Sequence, residues 1–250
     1  MKIIALSNQK GGTTKSTTTY NLAAIKALEG KRVLMTDLDP QGSLTISCSM
    51  ARDFQDKDIS GVLKGADPLD CAYTVESLDM DNLYIIPADI HLAETEVELF
   101  AMTAREKKLK RGLEKLSDYF DYCFIDCPPQ LSILSTNGLV AANEVIIPCK
   151  TDYLAYMGLK ALITTIKGIQ NDPDMNPRLK IDGIIATIYE KQVKDQQDIW
   201  DLLHEFEVPF LGTIRKSADA SRAVYKGLPV VVSQPKSKVA QDYYDIAKQI

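Results

Sequence analysis

The chain has 250 residues, 45% of them hydrophobic, with a formal net charge of −5 and a pI near 5.2. That is enough apolar material for one sizeable core, and no Pro/Gly/Ser-rich linker or composition break divides it, so a single domain over 1–250 is expected. The acidic balance argues against an unconditional, charge-dominated nucleic-acid binder but leaves local basic patches open, so any DNA binding is expected to be conditional.

Along the chain, short apolar runs at 3–6, 33–36, 83–86, 123–125, 145–147, 181–187 and 210–214 alternate with longer stretches of helical spacing at 16–29, 92–100, 105–119, 156–170, 193–206 and 238–250. This alternation predicts an α/β protein with a doubly wound, mostly parallel sheet. In the first helix Leu22, Ile25 and Leu28 share a face and Gly30 stands just past its end, a usual stop signal. In the last, Val239, Tyr243, Ala247 and Ile250 form a stripe expected to face the core. Residues 51–76 are polar and poorly periodic and read as a mobile surface connection.

The apolar stretch at 3–6 is too short for a secretion signal, and no eighteen apolar residues run together, so a cytoplasmic protein with no membrane role is expected. Five cysteines, Cys48, Cys71, Cys123, Cys127 and Cys149, are odd in number and irregularly spaced, which suits a reducing compartment. Cys123 and Cys127 have the look of a metal or redox pair, but they flank an apolar strand without a second ligand pair, and core packing is the simpler reading.

Three motifs carry chemistry. The first, Gln9-Lys10-Gly11-Gly12-Thr13-Thr14-Lys15-Ser16-Thr17-Thr18, follows one strand and opens one helix. Backbone N–H groups converge in such a turn, the helix dipole adds positive potential, and a lysine followed by a hydroxyl suits a phosphate with its Mg²⁺. A nucleoside triphosphate is the ligand this predicts; the bland alternative is a glycine turn holding nothing. The pattern G-x-x-x-x-G-K-[ST] fails at Gln9 and Thr14, leaving K-G-G-x-x-K-[ST].

The second motif, Met35-Thr36-Asp37-Leu38-Asp39-Pro40-Gln41-Gly42-Ser43, ends the second strand, where carboxylates reach the ligand crevice of an α/β sheet. Its aspartates either orient water or Mg²⁺, or form an Asp-Pro turn in which Asp39 caps the next segment. The third, Tyr122-Cys123-Phe124-Ile125-Asp126-Cys127-Pro128-Pro129, is an apolar strand ending in a carboxylate, the form of a Walker B element. A loop cap is the default for that strand end taken alone.

Together these motifs, with Asn176-Pro177-Arg178-Leu179-Lys180-Ile181-Asp182-Gly183-Ile184, Gly227-Leu228-Pro229-Val230 and Pro235-Lys236-Ser237-Lys238, resemble the ParA/Soj chromosome- and plasmid-partition ATPases, the deviant Walker A group that also includes MinD. The resemblance spans essentially the whole chain and looks like the short type, without an N-terminal helix-turn-helix extension. It implies a P-loop ATPase using ATP and Mg²⁺. Gly11, Gly12, Thr13 and Thr14 would cradle the phosphates, Lys15 contact the β/γ-phosphates, and Thr17 the α-phosphate. Ser16 would ligate Mg²⁺, with Asp126 fixing it from behind. Lys10 would reach a partner's nucleotide across a homodimer, and Asp39 would position the attacking water.

The resemblance further implies an ATP-driven sandwich dimer that binds DNA without sequence preference on the nucleoid and is released when a ParB-type centromere-binding partner stimulates hydrolysis. Arg215, Lys216, Arg222, Lys226, Lys236 and Lys238 are the candidate DNA contacts, with a solvated face as the bland alternative. Two departures stand out. Thr14 replaces a glycine, which strains the loop by about 1–3 kcal/mol if that position needs positive φ. Ile214-Arg215-Lys216-Ser217 replaces an Ile-Pro-Arg-Asn stretch, which leaves the base half of the site less defined than the phosphate half.

Other readings are a hydrolytically silent DNA-binding scaffold, suggested by Thr14; a MinD-like membrane switch, which should carry a basic amphipathic tail; and a metabolic ligase or reductase of the same superfamily.

Overall fold

The apolar runs become strands because a parallel sheet is buried on both faces. The computed structural model describes residues 1–50 and 54–250. Its strands are β1 (Lys2–Leu6), β2 (Val33–Asp37), β3 (Tyr73–Thr74), β4 (Leu83–Ile86), β5 (Tyr122–Asp126), β6 (Glu144–Lys150), β7 (Lys180–Tyr189) and β8 (Phe210–Arg215). They form one sheet in the order β3-β4-β2-β5-β1-β6-β7-β8. Every neighbouring pair is parallel except β3 with β4, where a two-residue antiparallel strand closes one edge.

Successive side chains point to opposite faces. Ile3, Ala5, Leu34, Cys123, Ile125, Val145 and Ile147 enter one core, and Ile4, Leu6, Val33, Met35, Phe124 and Ile146 enter the other. The second core lies under α1 (Lys15–Leu28), α2 (Ser43–Ser47), α9 (Ala218–Tyr225), α10 (Val230–Ser233) and α11 (Lys238–Ala247). The first lies under α3 (Ile59–Lys64), α4 (Leu92–Leu99), α5 (Lys108–Glu114), α6 (Ile133–Ala141), α7 (Tyr153–Asn171) and α8 (Lys194–Leu203). The doubly wound sheet expected from the alternation is therefore the observed one.

Two local expectations are corrected, and one buried helix is added. Within 51–76, whose first three residues lie outside the described ones, α3 is capped by Asp58, which accepts from the Gly61 N–H at 3.1 Å. It ends at Gly65 with φ +108° and buries Ile59, Val62 and Leu63, so this connection is part of the core. Six residues are too few to display a helical period. The helix expected over 105–119 is a 3-10 turn (Arg105–Lys107) leading into α5, followed by turns. α6 escaped the periodicity reading because it is buried nearly all round and so has no polar face.

All five cysteines are free and buried, with Cys123, Cys127 and Cys149 in one core. Among the described residues no cluster of His, Cys, Asp and Glu has metal-site spacing, and no helix is long and apolar enough to cross a membrane. The stripe on α11 packs as expected, with Val239, Tyr243 and Ala247 each 1% exposed.

Candidate nucleotide site

The loop leaving β1 is fixed before its glycines are reached. Asn8 donates through Nδ2 to the Pro148 carbonyl on β6 at 2.7 Å, and its Oδ1 accepts from the Lys10 N–H at 3.0 Å. Beyond the glycines, the Thr13 carbonyl accepts from Thr187 Oγ1 on β7 at 3.2 Å, and Thr13 Oγ1 donates to the Lys10 carbonyl at 3.3 Å. The turn between these anchors uses left-handed backbone twice, at Gly12 with φ +72° and at Thr14 with φ +66°. The conformation that the sequence departure made a concern is present, in a β-branched residue that disfavours it.

α1 then starts at Lys15 without a side-chain cap, so its first N–H groups face the loop. Lys15 is 7% exposed and its Nζ lies 3.4 Å from the Lys10 carbonyl. Burial lowers its pKa, and the nearby carboxylates of Asp126 and Asp39 oppose that shift.

The carboxylates stand at adjoining strand ends because β5 pairs with both β1 and β2, placing Asp126 beside Leu6 and Asp37. Asp126 is fully buried. Burial, then the nearby Asp37, holds its pKa well above the carboxylate range, while a hydrogen bond with Ser16 and the charge of Lys15 work the other way. Its Oδ1 has no hydrogen-bond partner. Asp37 is pushed up to about 6, chiefly by burial. Its Oδ2 accepts from Thr45 N–H at 2.9 Å and Thr45 Oγ1 at 2.8 Å, and its Oδ1 from the Asp39 N–H at 3.2 Å. Asp39 itself accepts from the Gln41 N–H at 3.0 Å, the turn bond that the bland reading anticipated.

A cleft of about 470 Å³ brings together residues 11–17, Asp39 and Pro129. Through Thr14, Thr17 and Val224 it adjoins a second cavity of about 250 Å³ lined by Ile188, Ile214, Ala220 and Tyr243. Polar donors and the lysine gather in the first; the second is largely apolar. A phosphate tail and a flat base would divide in that way.

Lys10 lies beside this cleft and is turned toward Asp152, with Nζ 2.5 Å from Oδ1. Of the six candidate DNA contacts, three are already tied to acids. Arg215 grips Asp242 with Nε at 2.7 Å and Nη2 at 2.6 Å, Lys216 pairs with Glu190 at 2.9 Å, and Arg222 with Asp219 at 3.4 Å. Lys226, Lys236 and Lys238 are exposed and make no ion pair among the described residues. Arg215 and Lys216 line a wide depression of about 760 Å³ with Trp200 and Asp242, and both also border the smaller cavity beside Thr14 and Thr17.

Sequence reasoning gave no role to Asp152 or Ile188, and took Asp37 only as one of two aspartates able to orient water or Mg²⁺. Asp37 was visible in its motif, but its burial was not. Asp152 signals only a helix cap, which it is, accepting from the Ala155 N–H at 2.9 Å. Ile188, a β-branched residue at φ +56° beside the apolar cavity, has no sequence signal.

A strand, a glycine turn with a buried lysine, a helix N-terminus and carboxylates on the adjoining strand ends have the form of a P-loop nucleoside triphosphatase fold. A family model described as an AAA domain matches residues 1–181. Over its full length the chain is 35% identical to the sporulation initiation inhibitor protein Soj of Bacillus subtilis, spanning 98% of that protein. It is 36% identical to the chromosome-partitioning ATPase Soj of Treponema pallidum, spanning 96% of it. The fold matches the crystal structure of cobyrinic acid a,c-diamide synthase from Mycobacterium smegmatis with bound ADP and magnesium, with a TM-score of 0.84 and 34% identity over 99% of this chain and 93% of that one. The chain belongs to the ParA/Soj family of partition ATPases.

Proposed function

We propose that the protein is an ATP-dependent DNA-partition switch. The observation that carries this reading is the buried Lys15 ammonium at the mouth of a left-handed glycine turn, facing Asp126 and Asp39. A buried ammonium is costly unless anions answer it, and besides these two carboxylates the open cleft in front of it suits a triphosphate.

The residues also fit Mg²⁺. Asp126 Oδ1 is buried and unpartnered next to Ser16, and two crowded carboxylates hold raised pKa values there, an arrangement that a hard cation relieves. Ser16 would hold the ion and Asp126 would orient it. When bound, it neutralises phosphate charge during transfer.

In this reading Gly11, Gly12, Thr13 and Thr14 wrap the phosphates with backbone N–H groups. Lys15 contacts the β/γ-phosphates and Thr17 the α-phosphate, and Asp39 orients the attacking water. The base occupies the apolar cavity between Ile188 and Tyr243. Lys10 leaves Asp152 to contact the nucleotide of a second copy, so that hydrolysis depends on dimerisation. The ATP dimer binds DNA without sequence preference and resides on the nucleoid, and a ParB-type partner triggers release. α9 supports the DNA contact by presenting Arg222, the 93% exposed Tyr225 and Lys226 at i, i+3 and i+4, a mix of charge and aromatic surface that suits nucleic acid.

A second reading, a nucleotide-binding scaffold with little turnover, draws on Thr14 at φ +66°. The deciding measurement is fluorescence anisotropy of a random-sequence duplex with Mg-ATP, Mg-ADP or no nucleotide, beside phosphate release. The switch requires an ATP-specific binding component and measurable hydrolysis. ATP-specific binding without hydrolysis selects the scaffold, and no DNA binding in any state favours a small-molecule reaction.

A further inference from the structure

Building on the reading of the chain as a partner-stimulated ATPase, we infer that a notch beside the Asp39-Pro40-Gln41-Gly42 turn is the surface through which a protein partner acts on hydrolysis. The segment it takes is amphipathic, with an apolar ridge flanked by lysine or arginine. The notch, about 270 Å³, has Pro40, Gln41 and Gly42 on one wall and Ala88, Asp89 and Ile90, from the loop after β4, on the other.

Apolar content and charge both separate this place from ordinary surface. Ile46, which also lines the notch, and Ile90 are 59% and 62% exposed. From Ile90 the apolar surface continues through Ala93, Val97 and Phe100, at i+3, i+7 and i+10, while Leu92, Thr95 and Leu99 on the opposite face of α4 enter the core. Val97 and Phe100 are exposed as well. An apolar stripe at helical spacing beside a concave pocket is the form in which an amphipathic segment is received.

Residues 88–104 hold four carboxylates, Asp89, Glu94, Glu96 and Glu98, and no lysine or arginine, and 36–50 contain no lysine or arginine either. Of the four, only Glu98 meets a lysine or arginine among the described residues, Lys64 at 3.2 Å. Glu94 is i+4 from Ile90 and Glu96 is i+3 from Ala93, so both flank the stripe. A ridge between unanswered carboxylates selects a basic segment and repels nucleic acid and anionic lipid.

Both walls are tied to the carboxylates of the nucleotide cleft. The turn follows Asp39 directly, and the Gly42 N–H donates to the Asp39 carbonyl at 2.8 Å. A Cβ on Gly42 would stand 2.9 Å from the Ala88 carbonyl oxygen, so turn and loop are pressed together. On the other wall the Ala88 N–H donates to Thr45 Oγ1 at 3.0 Å, and that hydroxyl donates to Asp37 Oδ2 at 2.8 Å. Asp37 in turn holds the Asp39 N–H. Ile46 lines both the notch and the phosphate cleft. A side chain seated in the notch therefore bears on turn and loop at once, and either displacement reaches Asp39.

The test uses full-length protein with Mg-ATP and a fluorescent synthetic helix of about 14 residues, long enough to cover the stripe, with leucines on one face and lysines elsewhere. A counterpart carries glutamate in place of lysine. The lysine peptide should bind, read by anisotropy, and raise phosphate release several-fold; the glutamate peptide should do neither. Ile90→Ala/Val97→Ala should weaken binding about tenfold, and Asp89→Asn/Glu94→Gln should weaken it and flatten its salt dependence. Both pairs should leave unstimulated phosphate release at the wild-type level. Thr45→Val should bind the peptide but lose the stimulation, whereas Thr45→Ser, which keeps the hydroxyl, should retain it.

No binding of the lysine peptide, equal binding of both peptides, or wild-type affinity in both surface pairs overturns the site. So does concentration-dependent pairing of the free protein that Val97→Ala abolishes in sedimentation, which would give this face to a second copy. Where ATP is hydrolysed, peptide binding without a rise in phosphate release overturns the coupling. A chain that hydrolyses no ATP with or without peptide loses the ATPase reading, and the anisotropy then decides the surface by itself.

Discussion

Lys10 and Asp152 of the same chain form an ion pair, 2.5 Å from Nζ to Oδ1, across 142 residues of sequence. Asp152 also caps α7 and contacts Lys150 at 3.2 Å. Burial works against its charge, but the bonds from Lys10, Ala155 and Lys150 hold its pKa below the usual carboxylate range. The lysine proposed to act on a partner's nucleotide is thus occupied at home, and the proposed dimer would have to break this pair.

Asp152→Asn keeps an oxygen for the cap and removes the charge. Because the pair is about 30% exposed, it contributes about 0.5–1 kcal/mol. The variant should dimerise with ATP at about two- to fivefold lower protein concentration, measured by analytical ultracentrifugation. Lys10→Ala should abolish the ATP dimer while the thermal transition stays cooperative. An unfolded Lys10→Ala protein would make the lysine structural.

Thr14 holds a left-handed conformation that glycine adopts freely. Thr14→Gly should relieve about 1–2 kcal/mol of local strain, partly offset by the greater freedom of glycine in the unfolded chain. Phosphate release should rise several-fold. Unaltered turnover together with unaltered nucleotide affinity would mean that the loop geometry does not limit hydrolysis.

Asp39→Ala removes the carboxylate aimed at the cleft and its turn bond to Gln41. ATP binding should persist and turnover fall by 10²-fold or more, as expected for loss of a water-positioning group, with accumulation of the ATP dimer. Wild-type hydrolysis would reduce Asp39 to its turn.

Asp37 is raised to about 6 by burial. A carboxylate whose folded pKa exceeds its unfolded value binds its proton more tightly when folded, so its contribution to stability falls as pH rises from about 4 to about 6. Thermal midpoints of nucleotide-free protein should therefore show a steeper decline over that window than those of Asp37→Asn. Parallel profiles would show that Asp37 does not titrate there.

The grouping of the residues proposed for the phosphates was legible because it is local. Lys10 to Thr17 are contiguous, Asp126 ends β5 and Asp39 lies two residues beyond β2, apolar strands whose position in a parallel sheet follows from alternation. The base half was not, since Thr14, Ile188, Ile214 and Tyr243 meet only when β7, β8 and α11 close over α1. The DNA candidates show a similar divide: positive residues are countable in sequence, but the pairing of Arg215 with Asp242, 27 residues away, is not.

The sequence by itself determined the sheet, its parallel sense, the strand-end placement of the chemistry and the family, because periodicity and contiguous motifs are short-range properties of the chain. Tertiary structure alone decided that α6 is a buried helix and that 54–76 joins the core. It also decided that Asp37 and Asp126 crowd one another, that Lys10 rests on Asp152, and that Ile46 and Ile90, from two segments, line one notch. Each of these depends on burial or on contacts between distant segments, and such energies exist only after the chain has closed on itself.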